Sequence, residues 1–277
     1  MKKQRADEAL FETLNLESIQ LARALIMEGR VMAGDRKILR ASETLREGDV
    51  LRVKGELDAF VSRGAHKLKK AVEVFRIDLK DRVCVDVGAS TGGFTDVMLR
   101  NGAGRVYSVD VGYNLLDYRL RRDPRVVCME RTNARFLKPE DFNPRPSFGA
   151  TDVSFISLKA VLPAALAVLG GDESLFVALV KPQFEAEKSD VGEKGVVRDR
   201  RVHEQVLRDI TDFVPTLGWQ VAGLDYSPIR GPEGNIEFLM ALMPRRDDLA
   251  SLVNNWSVDV TIERAYDNFF KSIKGGL

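Results

Sequence analysis

Two lysines and two acidic residues are the part of this sequence best suited to chemistry. They are Lys67, Asp152, Lys181 and Glu237, and each stands near an end of a predicted helix or strand. Taken singly, each has an ordinary explanation: a lysine stem that covers apolar surface, an acid that caps a helix, or a charged strand end. Taken together, two amines oriented by two carboxylates can align a hydroxyl group and remove its proton.

We expect Lys181 to lie closest to the reacting hydroxyl. Partial burial and the positive charge of Lys67 would lower its pKa, whereas the two acids would raise it. Alignment of the hydroxyl without a true base therefore stays open as an alternative. His66 and His203 are other candidate bases because histidine titrates near neutral pH, but neither stands at a predicted strand end.

A glycine-rich segment, residues 86–95, predicts a turn that binds a ligand. Glycine lets the chain turn sharply and lets a ligand approach the backbone closely. The segment reads D-V-G-A-S-T-G-G-F-T, which differs from the G-x-G-x-x-G spacing of dinucleotide-binding enzymes. Asp86 would sit badly beside two phosphates but suits the cationic methionine part of S-adenosylmethionine. We therefore predict S-adenosylmethionine as cofactor, with a nicotinamide-dependent oxidoreductase as the alternative.

Two further strand ends complete the predicted cofactor site. Asp110 ends the apolar run that begins at Val106, where a carboxylate can accept both ribose hydroxyls of a nucleoside. Asn133 follows the next run and is expected to bracket the adenine. The predicted cofactor-binding residues are Asp86, Gly88, Ser90, Thr91, Gly92, Gly93, Phe94, Asp110, Asn133 and Asp152.

The chain from residue 81 alternates apolar runs with helical stretches. The runs are too apolar for strands with one wet face, so they predict a mainly parallel sheet with helices on both sides. Residues 227–235 join the last two runs and leave no room for a crossover helix, so the last strand should be antiparallel. A sheet of seven strands with this arrangement is typical of the class I, Rossmann-like methyltransferase fold, which we therefore predict. The seven runs are Val83–Val87, Val106–Asp110, Val126–Met129, Gly149–Val153, Leu175–Val180, Trp219–Leu224 and Ile236–Leu242.

The first part of the chain predicts a small α+β module. Its segment 22–31, A-R-A-L-I-M-E-G-R-V, resembles the RNA-binding domain first known from ribosomal protein S-four, in which Lys and Arg on a helix pair bind the RNA backbone. Ordinary solvated helix faces are the alternative. The candidate RNA-binding residues are Arg5, Arg23, Arg30, Arg36, Lys37 and, just after the module, Arg63.

Six motifs extend this resemblance to a whole family. They are V-S-R-G-A-H-K-L (61–68), D-V-G-A-S-T-G-G-F-T-D (86–96), T-D-V-S-F-I-S-L (151–158), L-V-K-P-Q-F-E (179–185), V-G-E-K-G-V-V-R-D (191–199) and S-P-I-R-G-P-E-G-N-I-E-F (227–238). They resemble the TlyA family of ribosomal RNA cytidine 2′-O-methyltransferases, sometimes called hemolysins, which join an RNA-binding domain to a methyltransferase domain of the FtsJ type.

The resemblance implies an RNA-binding domain over residues 1–59 and a methyltransferase domain over residues 60–277. It places Lys67, Asp152, Lys181 and Glu237 at the family's four catalytic positions. The implied reaction moves a methyl group from S-adenosylmethionine to the ribose 2′-hydroxyl of a cytidine. The implied partners are ribosomal RNA or ribosomal subunits.

Composition agrees with a charged partner and favours a soluble protein. Residues 1–70 hold 15 Lys and Arg against 11 Asp and Glu, whereas the whole chain holds 42 and 41. The longest apolar run, residues 160–171, contains Pro163 and is too short to span a bilayer, so we expect a cytoplasmic protein without a membrane partner. A membrane-active hemolysin stays as a weak alternative. Cys84 and Cys128 lie in apolar runs and are expected to be buried thiols rather than metal ligands.

Overall fold

The protein is described here by a computed structural model that covers residues 4–14, 16, 19–46, 48–54, 60–246 and 256–270. In the N-terminal part, two helices pack on a three-stranded antiparallel sheet of order β2-β1-β3. Their apolar side chains form a core of their own. The elements are α1 (Ala6–Thr13), α2 (Ile19–Met27), β1 (Val31–Ala33), β2 (Arg36–Lys37) and β3 (Leu51–Val53). The predicted domain boundary at residue 59 lies outside the described residues.

The rest of the chain builds a seven-stranded sheet of order β6-β5-β4-β7-β8-β10-β9. Four parallel ladders join β6 to β8, and β10 runs antiparallel to both of its neighbours. The predicted fold class is therefore confirmed, including the antiparallel last strand. The strands are β4 (Val83–Val87), β5 (Arg105–Val109), β6 (Val126–Met129), β7 (Phe148–Thr151), β8 (Leu175–Val180), β9 (Trp219–Tyr226) and β10 (Phe238–Pro244).

Helices cover both faces of this sheet, because successive strand residues point to opposite sides. Val177 and Leu179 of β8 pack with one set of helices, whereas Phe176 and Ala178 pack with the other. The first face carries α3 (Ala65–Val74), α4 (Gly93–Arg100) and α5 (Tyr118–Arg122); the second carries α6 (Leu158–Ala167), α8 (Arg200–Phe213) and α9 (Val258–Phe270). A short helix, α7 (Pro182–Glu185), follows β8.

The order of the strands reverses between β4 and β7, which places a crevice at the carboxyl edge of the sheet centre. Ligands of open α/β sheets bind at such a switch point. The glycine-rich segment follows β4, and Asp152 follows β7. The sheet therefore brings the predicted cofactor turn and a predicted catalytic acid to the same crevice.

Candidate active site

The four predicted catalytic side chains form one connected chain of charges. The Nζ of Lys67 lies 3.1 Å from Oδ2 of Asp152 and 2.8 Å from Oε2 of Glu237. The Nζ of Lys181 lies 2.5 Å from Oδ1 of Asp152. Lys67 is 6% exposed, Lys181 7% and Glu237 1%. Residues that are up to 170 positions apart in sequence thus share one buried cluster of two lysines and two acidic residues.

The sheet and one helix position these side chains. Asp152 and Lys181 each lie one residue beyond the strands β7 and β8, and Glu237 lies one residue before β10. Phe238 pairs with Val180, so Glu237 and Lys181 meet at the same edge of the sheet. Lys67 lies in the first turn of α3, which begins at Ala65. The predicted run Leu175–Val180 agrees with β8, whereas the runs Gly149–Val153 and Ile236–Leu242 differ from β7 and β10 by two residues at the ends beside Asp152 and Glu237.

The opposite charges hold each other ionised against the cost of burial. Burial opposes the charge of Lys67, but Asp152 and Glu237 outweigh it and raise the pKa of Lys67 above its usual range. Burial likewise opposes the charge of Asp152, but Lys67 and Lys181 outweigh it and lower the pKa of that carboxyl. Lys67 is therefore an ammonium ion and Asp152 a carboxylate at neutral pH.

Ser154 belongs to this cluster, although sequence reasoning missed it. Its Oγ accepts a hydrogen bond of 2.9 Å from the Nζ of Lys181. The residue stands two positions after Asp152 in the motif T-D-V-S-F-I-S-L, which was the available signal. Lys181 is thus held from two sides, by a carboxylate and by a hydroxyl.

Asp86 is held rigidly beneath the glycine turn. Its Oδ2 accepts hydrogen bonds from the backbone N–H of Thr95 at 2.8 Å and from its hydroxyl at 2.7 Å. Its Oδ1 is buried and has no hydrogen-bond partner among the described residues. Burial raises the pKa of Asp86 to about 7. A buried oxygen without a partner is costly, and a cationic ligand group would satisfy it.

The glycine turn brings the backbone close to its surroundings. Gly88 has a φ of +87°, and a Cβ at this position would lie 3.0 Å from the side chain of Val153. A Cβ on Gly93 would lie 2.4 Å from Oγ of Ser62 in the segment before α3. Both positions therefore require glycine, which fits a turn that must lie close to a ligand and to the start of α3.

One cavity of about 270 Å³ joins the glycine turn to the charged cluster. Its walls include all four predicted catalytic residues and six of the predicted cofactor-binding residues besides Asp152: Asp86, Gly88, Ser90, Thr91, Gly93 and Phe94. A cationic, nucleoside-bearing ligand fits this cavity, because Asp86 offers an unpaired carboxylate oxygen and the glycines leave the backbone accessible.

Three predicted cofactor-binding residues do not line this cavity. The carboxylate of Asp110 accepts hydrogen bonds from the backbone N–H groups of Ser90 at 2.8 Å and Gly112 at 2.7 Å. The side chain of Asn133 accepts a bond of 3.1 Å from the N–H of Arg135 and caps a short helical turn. Gly92 faces Leu120 of α5 and Leu116, which precedes that helix. Asp110 is thus connected to the cavity through Ser90.

Several of the predicted RNA-binding arginines form ion pairs inside the N-terminal module. Arg5 and Arg23 both lie 2.9 Å from the buried carboxylate of Asp7. Arg36 pairs with Glu43 and, at 2.6 Å, with Asp49. These contacts stabilise the module, and they leave the guanidinium groups of Arg5 and Arg23 partly exposed.

The other three predicted RNA-binding residues lie in different surroundings. Lys37 is exposed. Arg30 lies 3.7 Å from Glu28. Arg63 links the two parts of the chain, since its backbone N–H donates to Glu28 at 2.9 Å and its guanidinium donates to the carbonyl of Arg230.

The two histidines lie outside the charged cluster. His203 is buried in α8, and its Nδ1 lies 2.9 Å from the hydroxyl of Tyr266. Burial lowers the pKa of His203 to about 4. His66 packs its ring edge against Phe60. The geometry therefore gives neither histidine the role of a base beside Lys181.

A seven-stranded sheet with a ligand cavity at its switch point and a glycine turn after its first strand defines a class I methyltransferase. Residues 60–243 match the profile of the FtsJ-like methyltransferases, and the chain belongs to this family. The prediction of a S-adenosylmethionine-dependent methyltransferase is thereby confirmed over its nicotinamide alternative.

Two named relatives match most of the chain. It is 47% identical over 244 residues to YqxC of Bacillus subtilis (strain 168), which is provisionally named an rRNA methyltransferase, covering 87% of this chain and 86% of YqxC. It is 41% identical over 247 residues to the 16S/23S rRNA (cytidine-2′-O)-methyltransferase TlyA of Mycobacterium tuberculosis (strain ATCC 25618 / H37Rv), covering 89% and 92%. These matches confirm the resemblance to the TlyA family.

A solved structure from Streptococcus thermophilus, provisionally named a hemolysin, is similar over 99% of both chains, with 42% identity and a TM-score of 0.74. Within the described ranges, no helix of the present chain has the length and apolar character that crossing a membrane requires.

Proposed function

We propose that this protein transfers a methyl group from S-adenosylmethionine to the 2′-hydroxyl of a cytidine in ribosomal RNA, in the cytoplasm. The observation that supports this most is the connection, through one cavity, of a buried carboxylate beneath a glycine turn with a cluster of two lysines and two acids. The relative TlyA is named for this reaction and shares 41% of its residues with this chain over nearly its whole length.

The methyl donor is held by the glycine turn and its neighbours. S-adenosylmethionine supplies a methyl group on a positively charged sulfur, which is a good leaving group. The unpaired Oδ1 of Asp86 is placed to bind a cationic group of the donor, and Gly88 and Gly93 let it lie against the backbone. Asp110, which reaches the cavity through its bond to Ser90, would accept hydrogen bonds from the ribose hydroxyls with its remaining lone pairs, and Asn133 would contact the adenine.

The charged cluster aligns the RNA hydroxyl and takes up its proton. Lys181 is the residue closest to the hydroxyl, because it directly follows β8, lines the cavity and is fixed by Asp152 and Ser154. Lys67 stays charged between Asp152 and Glu237 and so keeps both acids in place. Held groups of this kind increase the rate mainly by fixing the reacting atoms in line. Acceptance of the hydroxyl proton by the neutral amine of Lys181 adds to that effect.

An exposed aromatic ring beside the cluster is suited to hold the target base. Phe155 is 91% exposed and follows Ser154 directly. Its ring contacts that of Phe184, with 5.2 Å between the ring centres. Stacking of a base on such a ring is worth about 1–3 kcal/mol. Phe155 would therefore hold the unstacked cytosine while its ribose enters the cavity.

The N-terminal module, proposed to span residues 1–59, supplies affinity for the RNA backbone, and residues 60–277 form the methyltransferase domain. Lys37 is exposed, and Arg5 and Arg23 keep part of their guanidinium groups at the surface. Arg63 lines the cavity, and Arg30 and Arg36 complete the proposed set of cations.

The test is methylation of ribosomal RNA from cells that lack the gene. Purified protein and labelled S-adenosylmethionine should add a 2′-O-methyl group to a cytidine, located by nucleotide-resolution mapping on 30S and 50S subunits offered separately. Lys181→Ala protein is the matched control and should leave the RNA unmodified. Label on a base, or no label on either subunit, would contradict the proposal.

A further inference from the structure

Two loops leave the carboxyl edge of the sheet side by side and, besides the ion pair between Asp152 and Lys181, are joined at three points. One is residues 152–158, after β7, and the other is residues 181–185, after β8. The first contact is the hydrogen bond from Lys181 to Ser154, and the second is the ring contact between Phe184 and Phe155. Glu185 makes the third contact, at the ends of the two loops that lie furthest from the sheet along the chain.

Glu185 uses both oxygens of its carboxylate in this third contact. Its Oε2 accepts a hydrogen bond of 2.6 Å from the hydroxyl of Ser157, and its Oε1 accepts one of 2.7 Å from the backbone N–H of Leu158. Ser157 is the N-cap of α6, and Leu158 is the first residue of that helix. A negative charge is favourable at a helix N-terminus, where backbone N–H groups lack partners within the helix. The carboxylate therefore ties the start of α6 to α7.

The segment between the two ends of the first loop has an unusual backbone. Phe155 has a φ of +63°, which a bulky residue adopts only where its surroundings enforce it. One end of the loop is fixed where the N–H of Asp152 donates to the carbonyl of Val87. The other end is fixed by Glu185. Loss of the second anchor would let Ser154 and Phe155 move together, although Glu185 itself does not line the cavity.

We propose that Glu185 is a positioning residue for methyl transfer, which holds Ser154 against Lys181 and Phe155 at the mouth of the cavity. The proposal rests on the proposed function. It assigns to Glu185 no contact with the methyl donor or the RNA. Its effect is to keep the loop of residues 152–158 in the one conformation that aligns the hydroxyl and the base.

The experiment compares Glu185→Ala and Glu185→Gln with Glu173→Ala, which removes an exposed carboxylate before β8 at the opposite edge of the sheet. A displacement of about 1 Å in an aligned site can cost on the order of 10²-fold in rate. We therefore expect Glu185→Ala to lower the single-turnover methylation rate by roughly 10- to 100-fold, with donor affinity within about twofold of the wild type. Glu185→Gln, which keeps one acceptor oxygen, should recover most of the rate, and Glu173→Ala should behave as wild type.

A multiple-mutant cycle separates positioning from general loss of structure. If Glu185 acts through Ser154 and Phe155, its replacement by Ala should lower the rate by less than about threefold in a Ser154→Ala, Phe155→Ala background, because coupled residues are not additive. A rate loss of roughly 10- to 100-fold in the Ser154→Ala, Phe155→Ala background would overturn the proposal. A wild-type rate for Glu185→Ala alone would also overturn it. If the wild-type protein methylates no ribosomal RNA, the proposed function itself fails, which the same assay shows separately.

Discussion

Replacement of Lys67 by Ala should destabilise the protein through Glu237, the acid that then loses its ion-pair partner. Lys67 is buried and joins two carboxylates, at 3.1 Å to Asp152 and 2.8 Å to Glu237. Asp152 keeps Lys181 after the substitution, so only Glu237 is left without a cation in the cluster. Removal of one partner from a buried ion pair costs about 3–5 kcal/mol. Because one of the two acids stays paired, we expect the free energy of unfolding to fall by the lower end of this range, about 3 kcal/mol.

The assay is equilibrium unfolding by urea, with two controls. Lys69→Ala removes an exposed lysine of the same helix, whose Nζ lies 3.8 Å from Oε1 of Glu73. This substitution should change the free energy of unfolding by less than about 0.5 kcal/mol. Glu237→Gln added to Lys67→Ala removes the unpaired charge and should restore much of the lost stability. A Lys67→Ala protein within about 1 kcal/mol of the wild type would refute the reasoning.

The pH dependence of this effect follows from the raised pKa of Lys67. A lysine whose pKa is raised on folding contributes stability that is fully present below its ordinary value of 10.5 and is lost as the pH rises through the folded value. The stability difference between the wild type and Lys67→Ala should therefore not decline as the pH rises from 6 to 9. A difference that declined steadily over this range would show that Lys67 is not held charged by the two acids.

Three other predictions concern the donor site, a buried histidine and RNA affinity. Because the pKa of Asp86 is raised to about 7, donor affinity measured by calorimetry should rise several-fold from pH 6 to pH 7.5, and Asp86→Asn should bind weakly without this rise. His203 is neutral in the fold with its pKa lowered to about 4, so stability is lost as the pH falls below 6.5; from pH 7 to pH 5 the wild type should lose about 2 kcal/mol more than His203→Gln in urea unfolding. Lys37→Gln should weaken RNA binding and reduce the slope of log affinity against log salt by about 1 if Lys37 contacts a phosphate, and an unchanged slope would remove it from the interface.

The sequence was most informative about the residues that lie at the carboxyl edge of the parallel sheet. Asp152, Lys181 and Glu237 could be placed together before any coordinates, because apolar runs mark buried strands and their carboxyl ends meet at one edge. Asp86 could be identified for the same reason, since a glycine turn follows it. Each strand boundary differed from its prediction by a few residues at most.

Contacts between loops were beyond sequence reasoning. Ser154 and Lys181 are 27 positions apart, and Glu185 is 28 positions from Ser157, so no periodicity relates them. Side-chain direction at strand ends was also hidden, because it depends on the turn that follows. The carboxylate of Asp110 accepts a hydrogen bond from the N–H of Gly112 and does not line the cavity, although its strand end was predicted to within one residue.

Basic residues were the least informative part of the sequence. Arg5 and Arg23 are candidate RNA-binding residues by sequence, yet both contact the buried carboxylate of Asp7. A single sequence does not distinguish an arginine that binds an internal acid from one that binds phosphate. The distinction requires the position of the acid, which only the fold supplies.

The central claim is that Lys181 acts on the ribose hydroxyl, and single-turnover methylation by Lys181→Ala tests it most directly. Loss of a positioned acid–base group lowers the rate of the chemical step by roughly 10²-fold or more. We expect that loss for 2′-O-methylation of ribosomal RNA across pH 6–9, with donor and RNA affinities close to those of the wild type, because the lost interaction belongs to the transition state. A Lys181→Ala protein that methylates at a near-normal single-turnover rate would contradict the account.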